Sequence, residues 1–99
     1  MNKWTKLRLE IWETRDHICD LCLHPIEGEP LNYYFSHILS RGAEIRAKYD
    51  LDNIMLNHFE CHQLWDFGTE DKLKGLQGYE AMRDKKQELK EKYNNTKLY

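Results

Sequence analysis

Three features of the chain predict an α+β fold. An amphipathic stretch near the N-terminus and a Lys- and Glu-rich tail have helical spacing, while two short aromatic or β-branched segments flank a polar loop. Two pairs of metal-ligating residues, each at two-residue spacing, add a brace of the kind a 99-residue chain needs, because so small a core is only modestly stable alone. We read one domain over 1–99, with its core at about 15–68 and a helical tail at about 69–99.

Residues 5–16 (TKLRLEIWETRD) put Leu7, Ile11 and Trp12 near helical spacing with charges between them, as a short helix entered through Thr5. HICDLCLHP is too short for a helix, is closed by Pro25 and carries Cys19-x2-Cys22, the pattern of a metal knuckle. EGEPL is a turn, and NYYFSHIL suits a strand over about 32–39. The polar stretch 40–53 with Gly42 reads as a loop, with a helical turn at 43–48, of the type that carries function. IMLNH is a second strand, CHQLWDF is a helix from Cys61 halted by Gly68, TEDKLKGL is a helical turn, and a longer helix covers about 79–93.

Composition narrows the function classes. Three cysteines are an odd number, and Met1 to Trp4 does not open a secretory signal, so a disulfide framework is not expected. Metal binding in a reducing cytoplasm fits better. The apolar runs are far too short for a membrane span. A net charge of −2 argues against coating nucleic acid by bulk electrostatics and leaves room for a local site.

Structural zinc takes four N or S ligands in a tetrahedron, and two-residue spacing lets one tight turn present two of them. Cys19 and Cys22 form one pair; Cys61 finds its partner at the same spacing in His58. The rival fourth ligand is His24, the alternative is three buried apolar cysteines, and His17 reads as a surface histidine. His62 follows Cys61 directly. Consecutive residues on a helix point about 100° apart, so His62 is poorly placed to share that ion.

HILSRG, followed by DLDNIMLNHFECHQLW, resembles the HNH endonuclease family, the ββα-metal or His-Me finger nucleases, and among them the small zinc-stapled members common in phages. The resemblance rests on His37, Asn53, His58, Cys61 and His62 in that order, with His62 nine residues after Asn53, and covers about 15–68. It implies a ββα-metal core braced by a zinc knuckle, with an N-terminal helix and a C-terminal helical extension. It also implies metal-dependent hydrolysis of DNA phosphodiesters, with DNA as the partner, a protein partner or homodimer left open, and the cytoplasm, of a bacterial host if phage-encoded, as the location.

In that reading His37 is the general base, since a neutral imidazole with a pKa near ~6.5 can deprotonate water at physiological pH. His62 is a ligand of a catalytic divalent metal such as Mg2+, Mn2+ or Ni2+. Asp66, four residues on and so on the same helix face, is the second ligand. Asn53 fixes the loop between His37 and the helix, and Arg41 and Arg46 are expected on substrate phosphates. Where most members carry Asp or His just before the catalytic histidine, this chain has Ser36. Trp12, Trp65, Tyr33, Tyr34 and Phe35 are read as core rather than as base-stacking platforms. The alternative function is a non-catalytic, zinc-stabilised DNA-binding module with a degenerate metal site; a zinc-braced protein-interaction module is a further one.

Overall fold

The computed structural model describes residues 2–40 and 44–96. Its first helix, α1 (Lys3–Thr14), lies ahead of the expected 5–16 at both ends because Asn2, not Thr5, caps it. The Asn2 side-chain oxygen accepts the Thr5 N–H at 2.8 Å, a contribution of about 1 kcal/mol. Trp4, Leu7 and Trp12 pack on the core, and Ile11 is fully buried within it. After Thr14 the chain turns extended, and the Arg15 guanidinium donates to the carbonyls of Leu51 and Ile54, both at 2.6 Å.

The knuckle that follows folds back on itself. Cys19 N–H donates to His24 O at 2.9 Å, Leu23 N–H to Cys19 O at 2.8 Å, and Ile18 bridges Pro25. The reversal holds Leu23 at φ 65, a left-handed conformation that side chains rarely adopt.

β1 (Phe35–His37) pairs antiparallel with β2 (Ile54–Leu56), in the register Phe35 to Leu56, Ser36 to Met55 and His37 to Ile54. The first strand is shorter than the sequence suggests, because residues Asn32–Tyr34 close a 3-10 turn instead. β2 is a run of three apolar residues, each at most 1% exposed, and lies at the centre of the core. Its other edge is taken by the knuckle: Asp20 N–H donates to Leu56 O at 2.7 Å, and Leu56 N–H donates back to the Asp20 carboxylate at 2.9 Å. Between the strands the loop makes two 3-10 turns, Ile45–Ala47 and Leu51–Asn53.

α2 (Phe59–Phe67) begins two residues before Cys61, with His58 at its N-cap, and stops at Gly68 as its sequence suggests. A short α3 (Glu70–Leu73) is capped by Thr69. α4 (Tyr79–Thr96) runs somewhat beyond the expected 93 and packs Met82, Leu89 and Tyr93 on the core. Gly78, just before it, donates to Leu21 O at 2.7 Å, and a Cβ at that position would overlap the Asp20 carbonyl. Only glycine lets the tail approach the knuckle so closely. Among the described residues no helix is long and apolar enough to cross a membrane.

Candidate functional site

Cys19, Cys22, His58 and Cys61 converge, with their ligating atoms all within 4.8 Å of one another. The knuckle supplies the first two, the N-cap of α2 the third and its first turn the fourth. His58 Nδ1 lies 3.3 Å from the Cys22 sulfur, while His58 Nε2 lies 2.9 Å from Pro25 O. The Nε2 proton is therefore donated to that carbonyl, and the Nδ1 lone pair faces the sulfurs. This is the outer hydrogen bond that orients a metal-ligating imidazole.

The thiols are electrostatically linked. Burial raises the Cys19 pKa, but N–H groups of Cys22, His58 and Leu21 outweigh it and hold Cys19 below the usual thiol range. Cys22 and Cys61 are pushed up, first by burial and then by their sulfur neighbours, Cys61 strongly. Three thiolates can coexist in this space only around a cation. Tetrahedral zinc with Zn–S of about 2.3 Å sets sulfurs about 3.8 Å apart, so the spacing and donor chemistry both fit. These four residues are placed to bind a metal ion, consistent with structural zinc. His24 has an exposed side chain and is not in the cluster; His17 is exposed, stacked on Trp12 at 3.6 Å.

His37 and His62 face one cleft of about 590 Å3, which Ser36, Lys48, Tyr49 and Asp66 also line. His37, the last residue of β1, places Nε2 2.8 Å from Lys48 O. That carbonyl can only accept, so it fixes the proton on Nε2 and the lone pair on Nδ1. Trp4, from α1, stacks on the His37 ring at 5.2 Å and donates its indole N–H to the Asn32 side-chain oxygen at 3.0 Å. His62 and Asp66 share one face of α2, as their spacing requires, and bond to each other: His62 Nε2 to Asp66 Oδ2 is 2.7 Å. A cation held by both would part that pair; a cation on Nδ1 alone would leave Asp66 orienting the ring.

Asn53 is fully buried and spans the loop. Its side-chain oxygen accepts the Leu39 N–H at 2.7 Å, and its NH2 donates to Leu39 O at 3.0 Å and Ala47 O at 3.1 Å. Ser36 is 4% exposed and donates to the side-chain oxygen of buried Asn57, whose NH2 donates to Tyr33 O and His58 O. The Ser36 hydroxyl, at the position where most members of the resembled family carry Asp or His, thus gives its proton to another residue.

Arg46 is held within the fold. Its guanidinium, expected on substrate, clasps both oxygens of Glu44, at 2.8 and 3.0 Å, donates to Tyr93 O at 2.8 Å, and is not among the residues lining the cleft. The Glu44 carboxylate thus pairs with the Arg46 charge. Lys48 is the cleft's cation among its described lining residues. Arg41 and Gly42 lie outside the described residues. Of the five aromatics assigned to packing, Phe35 is buried and Trp12, Trp65 and Tyr34 pack against the core, whereas Tyr33 is 45% exposed and meets Phe59 edge-on.

Sequence reasoning missed three participants. Trp4 gives no signal, since its contact with His37 spans a long separation in sequence. Asn57 is visible only as a polar residue within an apolar run. Asp50 accepts from Lys92 at 2.8 Å and from the Tyr93 hydroxyl at 2.6 Å, so the tail clamps the loop that carries Lys48 and Asn53. No protein-family model matches the chain, and no curated protein or solved structure matches it.

Proposed function

We propose that this chain is a metal-dependent HNH-type endonuclease that hydrolyses DNA phosphodiesters. The observation that carries the reading is the pairing of His37 and His62 across one cleft, one from the end of a strand and one from the helix that the Cys3His cluster anchors. The order β1, loop, β2, α2 is what a ββα-metal core requires, and the thiol-rich cluster suits a reducing cytoplasm.

His37 Nδ1 takes the proton of the attacking water, because Lys48 O holds the other ring proton and Trp4 holds the ring plane. Asn53 keeps the loop at a fixed distance from β1, so the base does not drift. His62, with Asp66 as co-ligand or as its orienting carboxylate, would hold a catalytic divalent metal. Bound there, a divalent cation supplies charge stabilisation at the phosphate and help for the leaving 3′-oxygen. Products with 3′-hydroxyl and 5′-phosphate ends follow from the family resemblance.

A second reading has support of its own. Ser36 bonded to Asn57, and His62 bonded to Asp66, leave few ligands turned to a catalytic ion, as a non-catalytic zinc-stabilised DNA-binding module would have. The test is nicking of supercoiled plasmid by protein retaining one zinc per chain, with Mg2+, Mn2+ or Ni2+ added back. Cleavage that needs the added ion supports the nuclease. DNA association without cleavage under any ion supports the module.

A further inference from the structure

A second hollow, about 410 Å3, lies along α4, where Trp65 of α2 and Tyr79 form apolar walls and Arg83, Lys86 and Lys90 supply charge. The three cations are spaced i, i+3 and i+7, so one face of the helix carries them all. Carboxylates are sorted elsewhere: Glu80, Asp84, Glu88 and Glu91 follow their own i, i+4, i+8, i+11 row, and of these only Asp84 reaches the hollow. Lys86 and Lys90 are thus like-charged neighbours one turn apart, an arrangement that disfavours the helix. Among the described residues no ion pair within 4.0 Å engages either lysine, and Arg83 meets Asp84 only at 3.7 Å.

Two details say what this face would hold. The Lys86 ammonium sits 5.4 Å from the Trp65 ring centre and the Arg83 guanidinium 5.9 Å from that of Tyr79. Cations cover the rings, so bases have no open aromatic face to stack on. Anionic oxygens do have partners. Arg83 and Lys90 lie about 10.5 Å apart along the helix axis at 1.5 Å per residue, enough for the three cations to reach more than one phosphate of a strand whose charges recur about every 3.4 Å along a duplex axis. The hollow also adjoins the cleft: Trp65 lines one and Asp66 the other, and the Trp65 indole N–H donates at 3.4 Å to the carbonyl of Ile38, the residue after His37.

We propose that the Arg83, Lys86 and Lys90 face of α4 binds the sugar-phosphate backbone of a nucleic-acid strand, without reading its bases. The proposal rests on the nuclease reading of the cleft and deepens it, giving the substrate strand a second hold beside the reacting phosphate.

The test is fluorescence anisotropy with a labelled 30-nucleotide single strand and its duplex, using the zinc-loaded full chain without added divalent ions, across a salt series. The combined variant Arg83→Gln, Lys86→Met, Lys90→Gln is compared with Lys6→Gln, Lys72→Gln, Lys74→Gln, which removes equal charge from exposed positions outside the hollow. The groove variant should lose at least 10-fold in affinity at low salt. Its log–log salt slope should fall by roughly 2 to 3, at about 0.9 per phosphate on duplex and about 0.7 on single strand. Equal losses in both variants, or none in either, would overturn the proposal. If wild type cleaves and the groove variant binds normally, the groove fails and the nuclease stands. If wild type never cleaves yet only the groove variant loses binding, the groove stands and the nuclease fails.

Discussion

His58 and His62 are one helical turn apart, joined by a 3.0 Å bond from His62 N–H to His58 O, yet one faces the sulfur cluster and the other the cleft. His58 Nδ1 lies 3.3 Å from the Cys22 sulfur, and His62 Nε2 lies 2.7 Å from Asp66. Cys61, between them, turns to the sulfur cluster. One segment therefore anchors α2 through His58 and Cys61 and leaves His62 facing the cleft.

The cluster ties the knuckle to α2, so its loss should be felt as stability. Cys61→Ser or chelation is expected to cost more than about 3 kcal/mol, lowering Tm by about 15 °C or more. His24→Ala, at an exposed position, should stay within about 0.5 kcal/mol of wild type. Thermal melts followed by circular dichroism, with zinc content measured, check both. Because Cys22 and Cys61 resist ionisation without a cation, binding should release protons and weaken as pH falls.

The tail clamp makes a pH-dependent prediction. Burial works to raise the Asp50 pKa, but hydrogen bonds from Lys92, the Tyr93 hydroxyl and the Asp52 N–H outweigh it and hold Asp50 below the usual carboxylate range. A carboxylate depressed on folding stabilises above its unfolded pKa of about 3.9, and that stabilisation is lost as pH falls through the folded value. Asp50→Asn should cost about 1–2 kcal/mol at pH 7, and the gap from wild type should close at the acid end. Urea denaturation over a pH series measures it. Tyr93, pushed up to about 12 by burial and by Asp50, stays protonated throughout that range.

Asn53→Ala would leave the Leu39 N–H and the Leu39 carbonyl without their partner in the interior, while the Ala47 carbonyl would keep the Asp50 N–H. An expected loss of about 2–4 kcal/mol follows from stranding buried polar groups. If Asn53 positions the base, cleavage at a temperature where the variant remains folded should fall further than its folded fraction explains.

Gly78→Ala drives a methyl into the Asp20 carbonyl. Overpacking of this kind costs about 1–3 kcal/mol. Gly75→Ala, whose Cβ would meet only the Lys72 carbonyl at 3.5 Å, should be tolerated, and parallel urea curves separate the two.

What the sequence made legible was local. The α1 apolar stripe, the Cys19-x2-Cys22 knuckle and the 100° turn between Cys61 and His62 depend on spacings of a few residues, and the structure has all three. What it hid depends on residues far apart. Tyr33 and Tyr34 have strand-forming side chains, yet the backbone bond from Tyr34 N–H to Leu31 O closes a turn there. Arg46 bonds to Glu44 and to the distant Tyr93 carbonyl, and the α4 tail, undiagnostic as sequence, holds the loop through Asp50. Such partners are chosen by tertiary packing, which residue periodicity does not encode.

In the proposed nuclease His37 moves the proton in phosphodiester hydrolysis, and single-turnover cleavage of a labelled duplex by zinc-loaded wild type and His37→Ala tests this role. Both proteins should have equal zinc content, equal circular dichroism and equal DNA affinity. With Mg2+ or Mn2+ present, the variant should be slower by about 10²- to 10⁴-fold, the usual contribution of a general base. Equal rates for the two proteins, or no cleavage by wild type with any divalent ion, would rule out this role for His37.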